Sequence, residues 1–315
     1  MENINRYIEE IKKYIKENPD LEEDILVRYV FLDLSKRLSF DLNYISFGNS
    51  KKRQELYRNA RYTSEIDKCL ETNIVICNTA AKLLELILKE LGVNIITKTA
   101  KGDIRKCPHV YNLITPSTGK DEYIVDIQED MYRVKMNGRT PNYGLSEDNE
   151  CVISLFEQEE MDIKIGYIDK NNYYTDDYLY LLKSDINYMD NLYDKLKLIL
   201  ENIEVFENDN INYIDRQWYH VRLLETLFTK ETFDYNNNTG SIRIIDCYKD
   251  IEGNKNCINC ITVEDKGQTH IFIYNKKEYR YKEIELENFI NAIKNGLVLY
   301  KSKIKEVEKR LSRRQ

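Results

Sequence analysis

Glycine and proline are scarce in this chain of 315 residues, with 11 Gly and 4 Pro. No G-x-G-x-x-G and no P-loop occurs, which excludes the common glycine-rich phosphate cradles. No apolar run approaches the roughly 18 residues a membrane span needs. Positive charge is not in excess. With 47 Lys and Arg against 54 Asp and Glu the net charge is −7, which does not favour general nucleic-acid binding. The 7 cysteines are odd in number and lack the tight spacing of a disulfide scaffold, so a reducing compartment is expected. Met1 to Glu10 shows an acidic amphipathic pattern instead of an apolar signal core, so no cleaved signal is expected. The cytoplasm is the expected location; an export route that cleaves no signal would leave no mark. No H-E-x-x-H and no repeat of 20–50 residues is present.

What is present suits a soluble protein with a real core. The chain is 42% hydrophobic and 32% charged, with a mean hydropathy of −0.60. Its 25 Tyr accompany frequent Asn, Ile and Lys, a bias that suits an AT-rich, bacterial coding genome rather than a particular function. The length suggests two domains, expected at 1–150 and 151–315. Helical and strand patterns occur in both halves, so the expected fold class is α+β.

The most informative stretch runs from Ile74 to Gly92. Between Ala80 and Leu91 the polar residues Lys82, Glu85 and Lys89 form one narrow stripe, and nearly everything else is apolar. This pattern predicts a helix buried over most of its circumference. Thr79 or Asn78 is the expected cap at its start, and Gly92 suits the left-handed position after its end. Cys77 then sits at or just before the first turn. It is either a buried core thiol or a nucleophile, because unpaired N–H groups and the positive end of the helix dipole favour a thiolate there.

Downstream, Cys107 to Ile114 and Asp121 to Ile127 read as two strands joined by a Pro-Ser-Thr-Gly loop, hence a β-hairpin. A loop centred between Ser117 and Thr118 sets His109 directly opposite Asp126, close enough for an imidazole and a carboxylate to share a hydrogen bond. Cys77, His109 and Asp126 are therefore the candidate catalytic residues. In such a triad the thiolate attacks an acyl carbon and His109 moves the proton. Asp126 fixes the imidazole tautomer, and the Cys77 N–H is an oxyanion donor.

The order helix-borne Cys77, then His109-Val110-Tyr111-Asn112, then Ile124-Val125-Asp126 resembles the transglutaminase-like (papain-like) cysteine enzyme superfamily. Asp24 to Asp41 resembles the helix and extended segment that precede that core, so the likeness covers roughly residues 20–135. It differs in carrying Tyr111 where Trp is more usual, and Asn78-Thr79 after the Cys. The resemblance implies a central helix packed on an antiparallel sheet, with activity as a peptidase, a glutamine deamidase or a transglutaminase. It implies a protein or peptide substrate; no nucleic acid, membrane, metal or cofactor is expected. Asn49, Tyr44 and Tyr57 are candidates for a side-chain oxyanion donor. The alternative is a catalytically inactive scaffold that serves as a protein-binding module. A bacterial effector acting on a host protein would use the same chemistry.

Elsewhere, helices are expected over 4–17, 21–38 and 51–70, and a loop over 133–148 that borders the substrate cleft. The second half reads as helices over 178–206 and 211–228. Strands at 242–248, 257–264 and 270–274 form a β-meander, and a terminal helix covers 282–312. His220, mid-helix beside Trp218 and Tyr219, reads as a packing residue. Cys247, Cys257, Cys260 and His270 form a competing zinc pattern. Strand geometry opposes it, since residues three apart on a strand point to opposite faces.

Overall fold

A computed structural model of the chain describes residues 2–41, 66–100, 109–140, 142–147, 151–201, 232–235, 238–241, 248–249, 255–256, 260–265, 268–275, 280–283 and 286–314. The fold is α+β and divides into two units. The first comprises Met1–Lys101, Cys107–Ser146 and Glu157–Ile165, and the second takes Glu147–Phe156 and Gly166–Gln315. Among the described residues no helix is long and apolar enough to cross a membrane.

In the first unit α1 (Glu2–Glu17) buries Ile4, Tyr7, Ile8 and Ile11, one helical stripe. Its first turn is capped from a 3₁₀ turn (Ile66–Lys68), where the Asp67 carboxylate accepts the Ile4 N–H at 2.8 Å. Helix α2 (Glu23–Arg37) is buried on nearly every side, and β1 (Ser39–Phe40) follows it. A short α3 (Cys69–Thr72) leads to β2 (Ile74–Val75), which pairs in parallel with β1. Then comes α4 (Cys77–Glu90), which buries Ala80, Ala81, Leu83, Leu84, Ile87 and Leu88. Its cap differs from the expected Asn78 or Thr79. Ile76 is the N-cap residue and offers no side-chain oxygen, so Thr79 in the first turn reaches back and accepts the Ile76 N–H at 2.9 Å. At the other end Gly92 holds the left-handed conformation, φ +88°.

Strands β3 (Ile95–Thr99), β4 (Val110–Ile114) and β5 (Tyr123–Val125) form an antiparallel sheet in that order, with α4 packed on β3 and β4. The hairpin register differs from the expected one. Asn112 faces Val125 and Ile114 faces Tyr123, so the loop is centred between Thr118 and Gly119. The turn closes through the Gly119 N–H on the Pro116 carbonyl, with Gly119 at φ +76°. The first turn of α2 holds this loop: Glu23 accepts the Ser117 N–H at 2.8 Å, and Asp24 accepts Lys120 at 2.7 Å and the Tyr123 hydroxyl at 3.2 Å.

Two further expectations are corrected. The second hairpin strand ends at Val125, and the chain turns at once into α5 (Ile127–Lys135). The loop expected from Arg133 therefore begins only after Lys135. The reason is local. The Asp126 carboxylate caps the Glu129 N–H at 3.2 Å, and Ile127, Met131 and Val134 recur at helical spacing and are buried. Helix α6 (Leu155–Lys164), whose Glu157 onward belongs to the first unit, had no clear sequence signal. It carries Asp162 to the buried Arg28. The two form a bidentate ion pair at 2.7 and 2.9 Å, and Arg28 also donates to the Thr140 hydroxyl at 2.8 Å. The Tyr143 and Phe31 rings lie 4.7 and 5.3 Å from the guanidinium carbon.

The second unit contains α7 (Lys170–Tyr173), then α8 (Asp176–Glu201), which packs on the terminal helix α9 (Leu286–Ser312). Between them lie two ribbons, β6 (Thr232–Tyr235) with β7 (Asn238–Ser241) and β8 (Tyr248–Lys249) with β9 (Lys255–Asn256). A meander follows: β10 (Cys260–Asp265), β11 (Gln268–Asn275) and β12 (Arg280–Glu283). The buried Lys303 on α9 donates to the Tyr174 hydroxyl at 3.0 Å and lies 5.0 and 5.5 Å from the Tyr174 and Phe156 ring centres. The helix expected at 211–228, with His220, lies outside the described residues, as does the strand expected at 242–248 except for Tyr248, which is in β8.

Removing one partner of a buried ion pair strands the other charge, at a cost of about 3–5 kcal/mol. Asp162→Ala is expected to destabilise the first unit by that amount, measured by chemical denaturation. A loss within experimental error would show that Arg28 is compensated some other way.

Candidate active site

Cys77 is the first residue of α4, so its N–H is one of those with no partner inside the helix. Its side chain is half-buried, whereas Cys69 and Cys151 are buried. His109 immediately precedes β4, where its carbonyl accepts the Ala100 N–H at 2.8 Å and so continues the β3–β4 ladder. Asp126 immediately follows β5 as the N-cap of α5. The observed register makes His109 and Asp126 diagonal neighbours instead of a directly opposed pair. A displacement of two residues keeps a side chain on its face, and diagonal neighbours remain within reach of long side chains.

The His109 Nε2 lies 2.6 Å from an Asp126 carboxylate oxygen, and both side chains are nearly inaccessible, at 4% and 1% exposure. Cys77 also acts on the ring, as a hydrogen-bonding neighbour that raises its pKa. With Nε2 engaged by Asp126, Nδ1 is the nitrogen left for sulfur. Burial pulls the imidazole toward neutrality. The Asp126 charge and hydrogen bond, then the Cys77 hydrogen bond and the Glu129 charge, outweigh it and raise the pKa to about 10. Asp126 therefore favours the protonated ring, and Nε2–H donates to its carboxylate.

A buried side chain, Asn112, ties the helix to the sheet that carries these groups. The Asn112 amide on β4 donates to the Ala81 carbonyl in the second turn of α4 at 3.0 Å, and to the Thr97 hydroxyl on β3 at 3.2 Å. Thr97 donates in turn to Glu85 of α4 at 2.6 Å, and Glu85 accepts Lys82 and Lys89 at 2.7 Å each. Asn112 is a positioning residue: it sets where the start of α4 meets the start of β4. Nothing in the sequence marked it, because a buried Asn on a strand has no local signature. Glu129 was also missed. The spacing Asp126-x-x-Glu129 ahead of an apolar periodic run is a capping-box pattern, and it was the available signal.

Among the described residues, His109, Asp126 and Glu129 have potential metal-ligand atoms within 4.8 Å of one another. Two ligands of one tetrahedral zinc stand about 3.3 Å apart, given bonds near 2 Å. The 2.6 Å contact is closer than that and suits a shared proton. For the competing zinc pattern, Cys247 and Cys257 lie outside the described residues. Cys260 and His270 stand three rungs apart on the β10–β11 ladder, about 10 Å along a strand. Asn49, Tyr44 and Tyr57 also lie outside the described residues. The chain matches no protein-family model, no curated protein and no solved structure.

Two measurements test this electrostatic arrangement. In Asp126→Asn the largest group that raises His109 is gone and burial remains, so the imidazole should titrate well below its wild-type value. With only three histidines in the chain, NMR of the ring protons resolves the change. An unshifted titration would sink the ion-pair assignment. Burial raises the Glu85 carboxyl, but Lys82, Lys89 and Thr97 outweigh it and hold it at about 2. A carboxylate lowered in the folded state stabilises at every pH above its unfolded value, near 4.3, and loses that effect as the pH falls through 2. Wild type should therefore melt above Glu85→Gln at neutral pH, with the gap closing between pH 4.5 and 2.

Proposed function

We propose that the first unit is a transglutaminase-like cysteine enzyme that transfers an acyl group of a peptide or protein through a thioester. The observation that carries this reading is a single imidazole held between a half-buried thiol at a helix start and a buried carboxylate at 2.6 Å. The order helix, strand, strand for the three residues supports the papain/transglutaminase-like core as the finer fold assignment.

The chemistry follows from the charges. The Cys77 thiol passes its proton to Nδ1 of His109, the sulfur attacks the acyl carbon, the C–S bond forms, and the carbonyl π pair moves to oxygen. The Cys77 N–H at the positive end of α4 is suited to receive that oxyanion. Collapse restores the C=O and breaks the C–N bond, while His109 gives its Nδ1 proton to the leaving nitrogen. Neutral His109 then takes a proton from water or an amine, which attacks the thioester and releases the Cys77 thiolate. Water yields a peptidase or a glutamine deamidase, and an amine yields a transglutaminase. Asp126 keeps the Nε2 proton in place and steadies the imidazolium in both steps.

Limited iodoacetamide labelling, mapped by mass spectrometry, is expected to modify Cys77 well before the buried Cys69 and Cys151. A peptidyl vinyl sulfone should form a Cys77 adduct, and His109→Ala should slow its formation by about 10²–10⁴-fold, the usual range for a lost acid–base group. A chain in which Cys77 reacts with neither reagent is a scaffold, and the enzymatic reading is then wrong.

A further inference from the structure

An oxyanion donor has to point at one place. The Cys77 N–H belongs to the same peptide unit as the Ile76 carbonyl. That unit is trans and planar, so its N–H and C=O point in opposite directions. Whatever fixes the Ile76 carbonyl therefore aims the Cys77 N–H.

The Ala80 N–H and the Thr79 hydroxyl both donate to that carbonyl, at 2.9 and 3.1 Å. The Thr79 oxygen also accepts the Ile76 N–H at 2.9 Å, and this N–H belongs to the preceding peptide unit. The carbonyl of that preceding unit, Val75, accepts the Asp41 N–H at 2.9 Å and continues the parallel β1–β2 pairing. One hydroxyl thus holds both peptide units that flank the Ile76 α-carbon. Rotation about Ile76, which sits at φ −114° and ψ 172°, sets the Cys77 N–H relative to β2. Thr79 restrains that rotation.

The restraint comes from the side of the helix away from the sulfur. Thr79 lies two residues after Cys77, about 200° around the axis, and is 2% exposed. It does not stand between Cys77 and a substrate. A Ser or Asp N-cap would instead turn its own oxygen onto first-turn N–H groups. Ile76 has no such oxygen, so nothing at position 76 competes with an incoming oxyanion.

Resting on the acyl-transfer reading above, we propose that Thr79 is a positioning residue of that chemistry, whose hydroxyl aims the Cys77 N–H at the oxyanion. A Thr79 that served only as a cap would stabilise α4 and leave the chemistry of Cys77 alone.

The test uses the full chain and two reagents that make different demands on Cys77. The first is a tripeptide aldehyde, the tightest binder of a mixed set. The Cys77 sulfur bonds to its carbonyl carbon, the π pair moves to oxygen, and the thiol proton passes to His109. An oxyanion then faces the Cys77 N–H. The second is iodoacetamide. The sulfur bonds to its CH₂ carbon, iodide leaves with the C–I pair, the thiol proton again passes to His109, and no oxyanion forms. Aldehyde affinity is read as protection of Cys77 from iodoacetamide, mapped by mass spectrometry.

Thr79→Val keeps the branched shape and loses the hydroxyl. Its aldehyde affinity is expected to fall by about 10–30-fold, less than the roughly 10²–10³-fold for an oxyanion donor removed outright. Its rate of alkylation by iodoacetamide, and the pH profile of that rate, should match wild type. Thr79→Ser returns the hydroxyl and should restore the affinity. Aldehyde affinity and alkylation rate that both hold or both fall together in Thr79→Val would overturn the assignment and leave Thr79 a cap. So would a loss that Thr79→Ser does not restore. A wild-type Cys77 that alkylates but is protected by none of the aldehydes would overturn the acyl-transfer reading, and this assignment with it.

Discussion

A buried amide ties the helix that carries Cys77 to the strand that His109 precedes. Cys77 belongs to a helix, and His109 and Asp126 to the ends of two strands. Helix-on-sheet packing by apolar side chains alone is tolerant of sliding. The Asn112 hydrogen bond to the Ala81 carbonyl is directional, and a buried amide that loses its partner costs about 1–3 kcal/mol. It therefore selects one position of α4 along β4. The carbonyl it uses lies four residues after Cys77, about one helical turn.

Around that fixed point the charges are arranged in layers. Asp126 serves two structures with one carboxylate: one oxygen faces the His109 ring, and the other accepts the Glu129 N–H that starts α5. The imidazole is thereby tied to the beginning of a helix as well as to a strand. Glu85 does similar work on the outer side, where it joins α4 to β3 through Thr97 and is itself kept ionised by two lysines. The buried Arg28 closes a third network, in which the Thr140 hydroxyl donates to the Gln158 side-chain oxygen at 2.6 Å.

How much of this was legible in the sequence varied with the range of the interaction. The α4 helix was legible because its narrow polar stripe and Gly92 are local signals. The hairpin was legible as a hairpin, but its register was not. Register depends on which residue takes the left-handed turn position, and here that choice is set by contacts of Ser117 and Lys120 with α2, some ninety residues earlier in the chain. The end of β5 was misplaced because Asp126 was read for its chemistry and not also for its capping geometry. Arg28 and Asp162 were illegible in principle: their partnership spans 134 residues, and neither has a distinctive neighbourhood.

That long-range pair bears on how this protein can be divided. An expression fragment ending near residue 150 would contain the thiol, the imidazole and both carboxylates around it, yet it would lack Asp162 and Gln158. The Arg28 guanidinium would then lose its bidentate carboxylate partner, and Thr140 would lose its acceptor. A truncated version meant for crystallography or directed evolution has to continue through Ile165, where the excursion back into the first unit ends.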